Sequence, residues 1–377
     1  MSLQALVLCS DEKILRVLRR VLSELEIKIE HCTERDAAIR KLTRDRFEAV
    51  IVDAADQETA ALVLRSARFA PCNRRAVAVA IIDGTTAVRG AFELGAHFVL
   101  YKPISSERAK ASFRAARALM KRERRRNTRV AVEIPVTLRF NDGDNEQHAT
   151  TVDLGEGGIA VKLPQRPSNS DSMSVHFRLP GTEHSIACIG QIAWENASRQ
   201  FGIRFVDLSP EDRTQLKTWL ESRSPEFEKD DPPAACKLTD LSPGGCYLEI
   251  VAPFPVRTRV ILSMRFADLE LAVEGVVRVM HPEIGMGVEF TQTSAQQREH
   301  LEKFILALTS SKNSVPELMV EPEGLETEGS MAQSSDPEEI EDPLLDLFRK
   351  KAGETPESFR AELRKQRGAG SAAAASV

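Results

Sequence analysis

Asp153-Leu154-Gly155-Glu156-Gly157-Gly158 recurs as Asp240-Leu241-Ser242-Pro243-Gly244-Gly245, 87 residues on. Gly202-Ile203-Arg204-Phe205 recurs as Gly287-Val288-Glu289-Phe290 at a spacing of 85, and Arg213, Leu216, Trp219 and Leu220 map onto Arg298, Leu301, Phe304 and Ile305 at the same 85. A single two-residue deletion accounts for the change of offset. Ordered matches at a nearly constant spacing mark a duplicated unit. Short β patterns such as Val136-Thr137-Leu138-Arg139-Phe140, punctuated by Gly and Pro, predict a small β-barrel in each copy, closed by a C-terminal helix such as Pro210–Leu220. The second copy starts late. Glu226–Pro233 is charged and Pro-rich where the first copy has Val130–Phe140, so a barrel truncated at its start is expected, with an exposed sheet edge that favours self-association.

N-terminal to the repeat, residues 1–121 alternate strand and helix patterns. Apolar runs lie at Ala5–Cys9, Ile27–Ile29, Ala49–Val52, Val77–Ile82 and Phe98–Tyr101. Short runs of this kind suit strands buried on both faces of a parallel sheet. Ile14, Leu15, Val17, Leu18, Val21, Leu22 and Leu25 carry the spacing of an amphipathic helix between two of them. Five such units predict a doubly wound α/β domain. Its last helix, Ser106 to Arg122, is basic and runs into the first barrel. The expected domains are 1–121, 122–223, 234–310 and a tail, 311–377.

The tail reads differently. Glu317–Asp346 holds eleven acidic residues and no basic one, which predicts disorder. Leu344–Phe348 and Phe359–Leu363 have the pattern of short amphipathic helices, and Gly368–Val377 is Ala- and Ser-rich. Over the 377 residues, 51 Lys+Arg against 56 Asp+Glu give a net charge of -5, which excludes a generally basic nucleic-acid coat. Six scattered cysteines without a CxxC predict reduced thiols in a cytosolic protein, with no disulfide framework. Neither a signal peptide nor a membrane span is expected.

The most conspicuous run is Arg122-Glu123-Arg124-Arg125-Arg126-Asn127-Thr128-Arg129. Arg125 and Arg129, four apart, are followed after 24 residues by the turn Asp153–Gly158. This pairing resembles the PilZ family of cyclic di-GMP receptor domains, whose pattern is RxxxR followed by [DN]xSxxG on a small β-barrel. Gly190-Gln191-Ile192-Ala193-Trp194 and Gly202–Phe205 resemble its later strands. The resemblance covers about Arg122–Arg223 and Ala234–Leu308. It implies a cyclic di-GMP site made by Arg125, Arg129, Asp153, Gly155 and Gly158. Arginine forks can donate to guanine N7 and O6, stack on the base and neutralise phosphodiesters. Asp153 can accept from guanine N–H groups, and Gly158 lets the backbone turn closely. Gly155 stands where the family has serine, so restoring the hydroxyl is expected to add one hydrogen bond. The second copy keeps Asp240, Ser242 and Gly245 but has no arginine pair before them, so binding is expected at the first copy.

The N-terminal domain resembles a response-regulator receiver. Asp53 ends the third strand, at the family's phosphoacceptor position, and Lys102-Pro103 matches its Lys-Pro. The family's acidic pair reads Ser10-Asp11, and the fourth strand runs to Ile82-Asp83-Gly84-Thr85 without a clean switch hydroxyl. If active, the resemblance implies Mg²⁺ between Asp11 and Asp53, with Lys102 holding phosphoryl oxygens; the departures point instead to a pseudo-receiver. The seven histidines are isolated, Trp194 and Trp219 read as core, and no catalytic constellation or metal site is expected.

The expectation is therefore a non-enzymatic, cytoplasmic bacterial effector that binds cyclic di-GMP and signals to a protein partner. The rivals are a ligand-free structural adaptor and a phosphorylation-gated response regulator. A nucleic-acid partner is not expected, because the arginine run lacks interleaved aromatics.

Overall fold

In the N-terminal sheet, alternate side chains of each strand serve different helices. The computed structural model describes residues 2–84, 88–140, 146–163, 172–196, 199–223, 230–291, 295–310, 316–326, 342–351, 358–359 and 361–363. Thr85 and Glu226–Lys229, singled out above, lie outside them, as does Gly368–Val377. The elements run β1 (Leu3–Leu8), α1 (Glu12–Glu24), β2 (Ile27–Cys32), α2 (Arg35–Arg44), β3 (Ala49–Asp53), α3 (Gln57–Phe69), β4 (Val77–Asp83), α4 (Val88–Glu93), β5 (Phe98–Lys102) and α5 (Ser106–Asn127). The strands are parallel in the order β2-β1-β3-β4-β5. Ala5, Val7, Ile51 and Val79 face α1 and α5, whereas Leu6, Leu8, Val50 and Val52 face α2 and α3. The period of two in a strand produces this split.

The chain divides into two compact units, Arg124–Lys229 and the remainder. The first barrel makes up the former. Its elements are β6 (Val130–Ala131), β7 (Pro135–Phe140), β8 (Glu146–Gly155), β9 (Gly158–Lys162), β10 (Ser172–Arg178), β11 (Ser185–Glu195), β12 (Gln200–Asp207) and α6 (Pro210–Arg223). The ring runs β8-β7-β10-β11-β12-β9 and closes through the β8–β9 pairing. Leu138, Leu154, Val161, Val175, Phe177 and Phe201 fill it, and α6 plugs one end with Leu216, Trp219 and Leu220.

The second barrel comprises β13 (Ala234–Leu241), β14 (Gly245–Glu249), β15 (Thr258–Phe266), β16 (Leu269–His281), β17 (Gly285–Phe290), α7 (Ala295–Ser310) and β18 (Glu317–Leu325). It is closed in the order β13-β14-β17-β16-β15-β18. β18 lies antiparallel between β13 and β15, as β7 lies between β8 and β10. The missing first strand is thus supplied from the other end of the copy. This corrects two expectations. The sheet edge is covered, which removes the stated reason for self-association. The stretch expected to be disordered from Ser311 contributes a barrel strand, because Leu318 and Val320 alternate inward with Glu317 and Met319 outward.

The tail also supplies α8 (Pro343–Lys351) and helical residues at 358–359 and 361–363, where amphipathic patterns predict them. Leu344, Leu347, Phe348, Phe359 and Leu363 cluster with Tyr247 and Val279 on the outside of the second barrel.

Helix α5 is longer than predicted, and the first part of the basic run is consumed inside this unit. Arg117 and Lys121 both reach Asp231 at 2.9 Å. Arg122 donates to the Pro322 carbonyl at 2.9 Å, and the Glu123 carboxylate accepts from the Leu325 N–H at 2.6 Å. These side chains fasten the α/β domain to the rim of the second barrel.

Candidate ligand-binding face

The strand ends of the α/β domain bring Asp53 and Lys102 together, with Lys102 Nζ 2.7 Å from Asp53 Oδ1 and 3.5 Å from Asp83 Oδ2. Burial pulls the Lys102 pKa down, but the hydrogen bond and charge of Asp53 more than offset this and leave it raised. Asp11 is turned to its own helix, where Oδ1 accepts from the Lys13 and Ile14 N–H groups at 2.7 and 3.3 Å. Among the described residues no three His, Cys, Asp or Glu side chains gather closely enough to hold a metal. With Ser10 in place of an acid and Asp53 held by Lys102, this donor set does not fit Mg²⁺.

In the first barrel, β8 and β9 form a tight hairpin in which Gly155 pairs with Gly158. Leu154, Ile159, Val161 and Ile203 point into the core, so the alternate residues point out. Two rows then cross the outer face. One runs Asp153–Ala160–Gly202–Trp194, and the next runs Gly155–Gly158–Arg204–Gln191. Arg129 lies over the hairpin, donating from Nη1 to the Gly158 carbonyl. Burial holds the Arg129 pKa below its ordinary value, and the charge of Asp153 opposes that shift. Arg129 and Arg204 are both exposed. The structure thus assembles Arg129, Asp153, Gly155 and Gly158 on one surface.

Arg125 is placed differently. It is only 1% exposed at the end of α5, with Nη1 3.7 Å from Glu221 Oε1 on α6. Trp194 is another departure. Instead of joining the core it is 45% exposed, with its indole laid over Gly202. A glycine at 202 beneath a tryptophan at 194 was the available signal, since a bare backbone on an outer face offers an aromatic ring a seat. Glu221 and Arg204 carried no such signal.

The glycines explain the motif. A side chain at Gly158 would run into the Ile203 carbonyl of β12, and one at Gly245 would come within 2.5 Å of the Val288 carbonyl of β17. Both copies therefore need this glycine for strand packing, whether or not they bind anything. At Gly155 a Cβ would stand 2.7 Å from Arg129 Cδ and 2.9 Å from the Thr128 carbonyl. A serine there crowds both the Arg129 side chain and the Thr128 carbonyl.

Comparison with known proteins agrees with this duplication. A family model described as the PilZ domain matches residues 123–222 and again 221–307. The second match ends before β18, the strand that arrives out of order. None of the curated proteins compared matches the chain. Among solved structures, the receiver domain of a sensor histidine kinase from Pseudomonas aeruginosa is 18% identical, covering 29% of this chain and 93% of that one with a TM-score of 0.26. The PilZ domain of CeSA from a cellulose-synthesizing bacterium is 21% identical, covering 26% of this chain and 100% of its own, with a TM-score of 0.22. PilZ domains form a cyclic di-GMP-binding effector family and are typically non-catalytic binding domains. Two consecutive stretches of the chain thus match the PilZ domain, behind an α/β domain built on a five-stranded parallel sheet.

Proposed function

We propose that the first PilZ domain binds cyclic di-GMP on the face formed by Arg129, Asp153, Gly155 and Gly158, and that a protein partner reads the bound state. The observation that carries this reading is the position of Arg129 across the glycine hairpin beside Asp153. A cation there can meet a phosphodiester while the carboxylate accepts from guanine N–H groups. Trp194, flat and exposed in the Asp153 row, offers a base a stacking surface. Arg125 completes the site by exchanging Glu221 for a ligand oxygen. That exchange loosens α5 from α6 and is the change a partner detects.

The receiver-like domain serves as a scaffold in this reading. The turned-in Asp11 and the Asp53–Lys102 pair support it over phosphate gating. Titration calorimetry of the full chain with cyclic di-GMP tests the proposal. Saturable heat, with affinity at least about tenfold weaker in Arg129→Ala, is expected; no heat, or affinity unchanged by that substitution, overturns it. Exposure to acetyl phosphate separates the gated alternative, for which stable phosphate on Asp53 is required.

A further inference from the structure

The second barrel has the same two outward rows. They read Asp240–Tyr247–Gly287–Val279 and Ser242–Gly245–Glu289–Val276. Tyr247 stands where the first barrel has Ala160, Glu289 replaces Arg204, and Val279 replaces Trp194. The face has become bulkier and more apolar, and its outward cation is replaced by a carboxylate ion-paired with Arg278, which leaves no free arginine fork for a doubly anionic nucleotide in these rows.

Helix α8 fills this face. A Cβ at Gly287 would meet the Phe348 ring at 2.6 Å, so Phe348 covers Gly287 as Trp194 covers Gly202. Leu345 abuts Gly244 and Gly245. Asp342 Oδ2 accepts from the Gly244 N–H at 2.9 Å, while its Oδ1 caps α8 by accepting from the Leu344 N–H at 3.0 Å. Asp342, Leu345 and Phe348 are spaced by three and so share one side of the helix. Phe359 and Tyr247 add a ring contact at 5.3 Å.

We propose that this face is a peptide-binding site whose resident and exchangeable ligand is the chain's own segment Asp342–Lys351. Among the described residues the segment joins no β-ladder of the barrel. Its apolar side chains form a cluster separate from the barrel core. In sequence, residues 327–341 separate it from β18. The site reads an amphipathic helix with an acidic cap, then Leu and Phe three and six residues on. The proposal stands whether or not the first barrel binds nucleotide.

The test uses the full chain carrying Leu345→Asp and Phe348→Asp, which evicts the tail, and a fluorescein-labelled peptide spanning residues 340–366. The peptide is expected to bind the evicted chain at least tenfold more tightly than the wild type, whose face is occupied. Adding Val279→Arg to the evicted chain abolishes that binding. Equal binding to wild type and evicted chain, or none to an evicted chain whose barrel amides stay protected from hydrogen exchange, overturns the proposal. Should the evicted chain unfold, wild-type exchange decides. Amides of Leu344–Phe348 are expected to exchange more slowly than in the free peptide and faster than those of β14 and β17. Exchange at the free-peptide rate, or in step with the barrel, overturns it.

Discussion

The two barrels share a ring of six strands and differ in where the chain enters it. In the first, β7 follows directly from the arginine-bearing end of α5 and β6. In the second, the same ring position is filled by β18, which follows the closing helix α7. The order of strands along the chain has been permuted while the packing is kept. The permutation also severs the arginine arm from the glycine hairpin, because nothing like Arg125–Arg129 precedes β13. Fold and binding therefore rest on separable parts. Gly158 and Gly245 answer to strand packing in both copies, and only the arm and the outward rows differ in chemistry.

The harshest test of that separation is β18. Val320 is fully buried in the second barrel. Val320→Asp loses roughly 1.5–3 kcal/mol of apolar burial, and the unpaired buried carboxylate costs several more, on the order of the whole stability of a small domain. Segment-resolved hydrogen exchange should show 234–290 losing protection while 130–207 keeps it. Protection of the second barrel unchanged by the substitution would mean β18 does not close it. Because the closing strand lies beyond Ser310, a fragment 1–310 is the wrong material for ligand titrations.

Arg129→Ala is next in size. A hydrogen bond to a charged group contributes roughly 1.5–3 kcal/mol, so cyclic di-GMP affinity should fall about ten- to a hundredfold. Calorimetry on the full chain measures this. Arg129 has no counterpart in the second copy; a change in that copy's hairpin, Ser242→Ala, should leave affinity as it was, since Ser242 Oγ serves its own turn by accepting from the Gly245 N–H at 3.1 Å. An effect of similar size from both would erase the distinction between the copies.

Much of this architecture is legible in the sequence. The repeat at 85–87 residues, the five apolar runs and the helix patterns at Leu344–Phe348 and Phe359–Leu363 each correspond to an observed element. β18 was not, and the reason is physical. A composition window sees the acids of Glu317–Glu326, whereas a barrel strand needs only every second residue apolar, and Leu318 and Val320 meet that need. Asp153, Gly155, Gly158 and Arg129 were legible as a motif and do come together. Arg125 was read as their equal, yet its pairing with Glu221 depends on how α6 packs, which no spacing encodes. Trp194 was misassigned because an aromatic in a strand reads as core until its outward register is known.

Gly155→Ser sharpens the comparison at smaller scale. Ser242 fits the second hairpin, but at 155 the Thr128 carbonyl and Arg129 occupy the space. Shifting a side chain off its preferred geometry costs roughly 0.5–1.5 kcal/mol, so affinity should drop about two- to tenfold. A tighter complex would show that the arm re-seats around a hydroxyl without loss, and that the two hairpins are interchangeable.

The smallest effect concerns the arm alone, which the second barrel lacks. Arg125 is buried against Glu221, itself 32% exposed. In the proposed cycle Arg125 leaves that carboxylate for the ligand, so the ion pair opposes binding. A partly solvated pair contributes roughly 0.2–1 kcal/mol. Glu221→Gln keeps the shape of the side chain and removes the charge that holds Arg125. Affinity for cyclic di-GMP should rise up to about fivefold, with no change in the exchange protection of the second barrel. The gain should vanish in an Arg125→Ala background, because a double-mutant cycle removes the coupling together with its partner. Weaker binding by Glu221→Gln would mean that the pair positions Arg125 for the ligand instead of competing for it. The link between occupancy and the α5–α6 contact would then have to be abandoned.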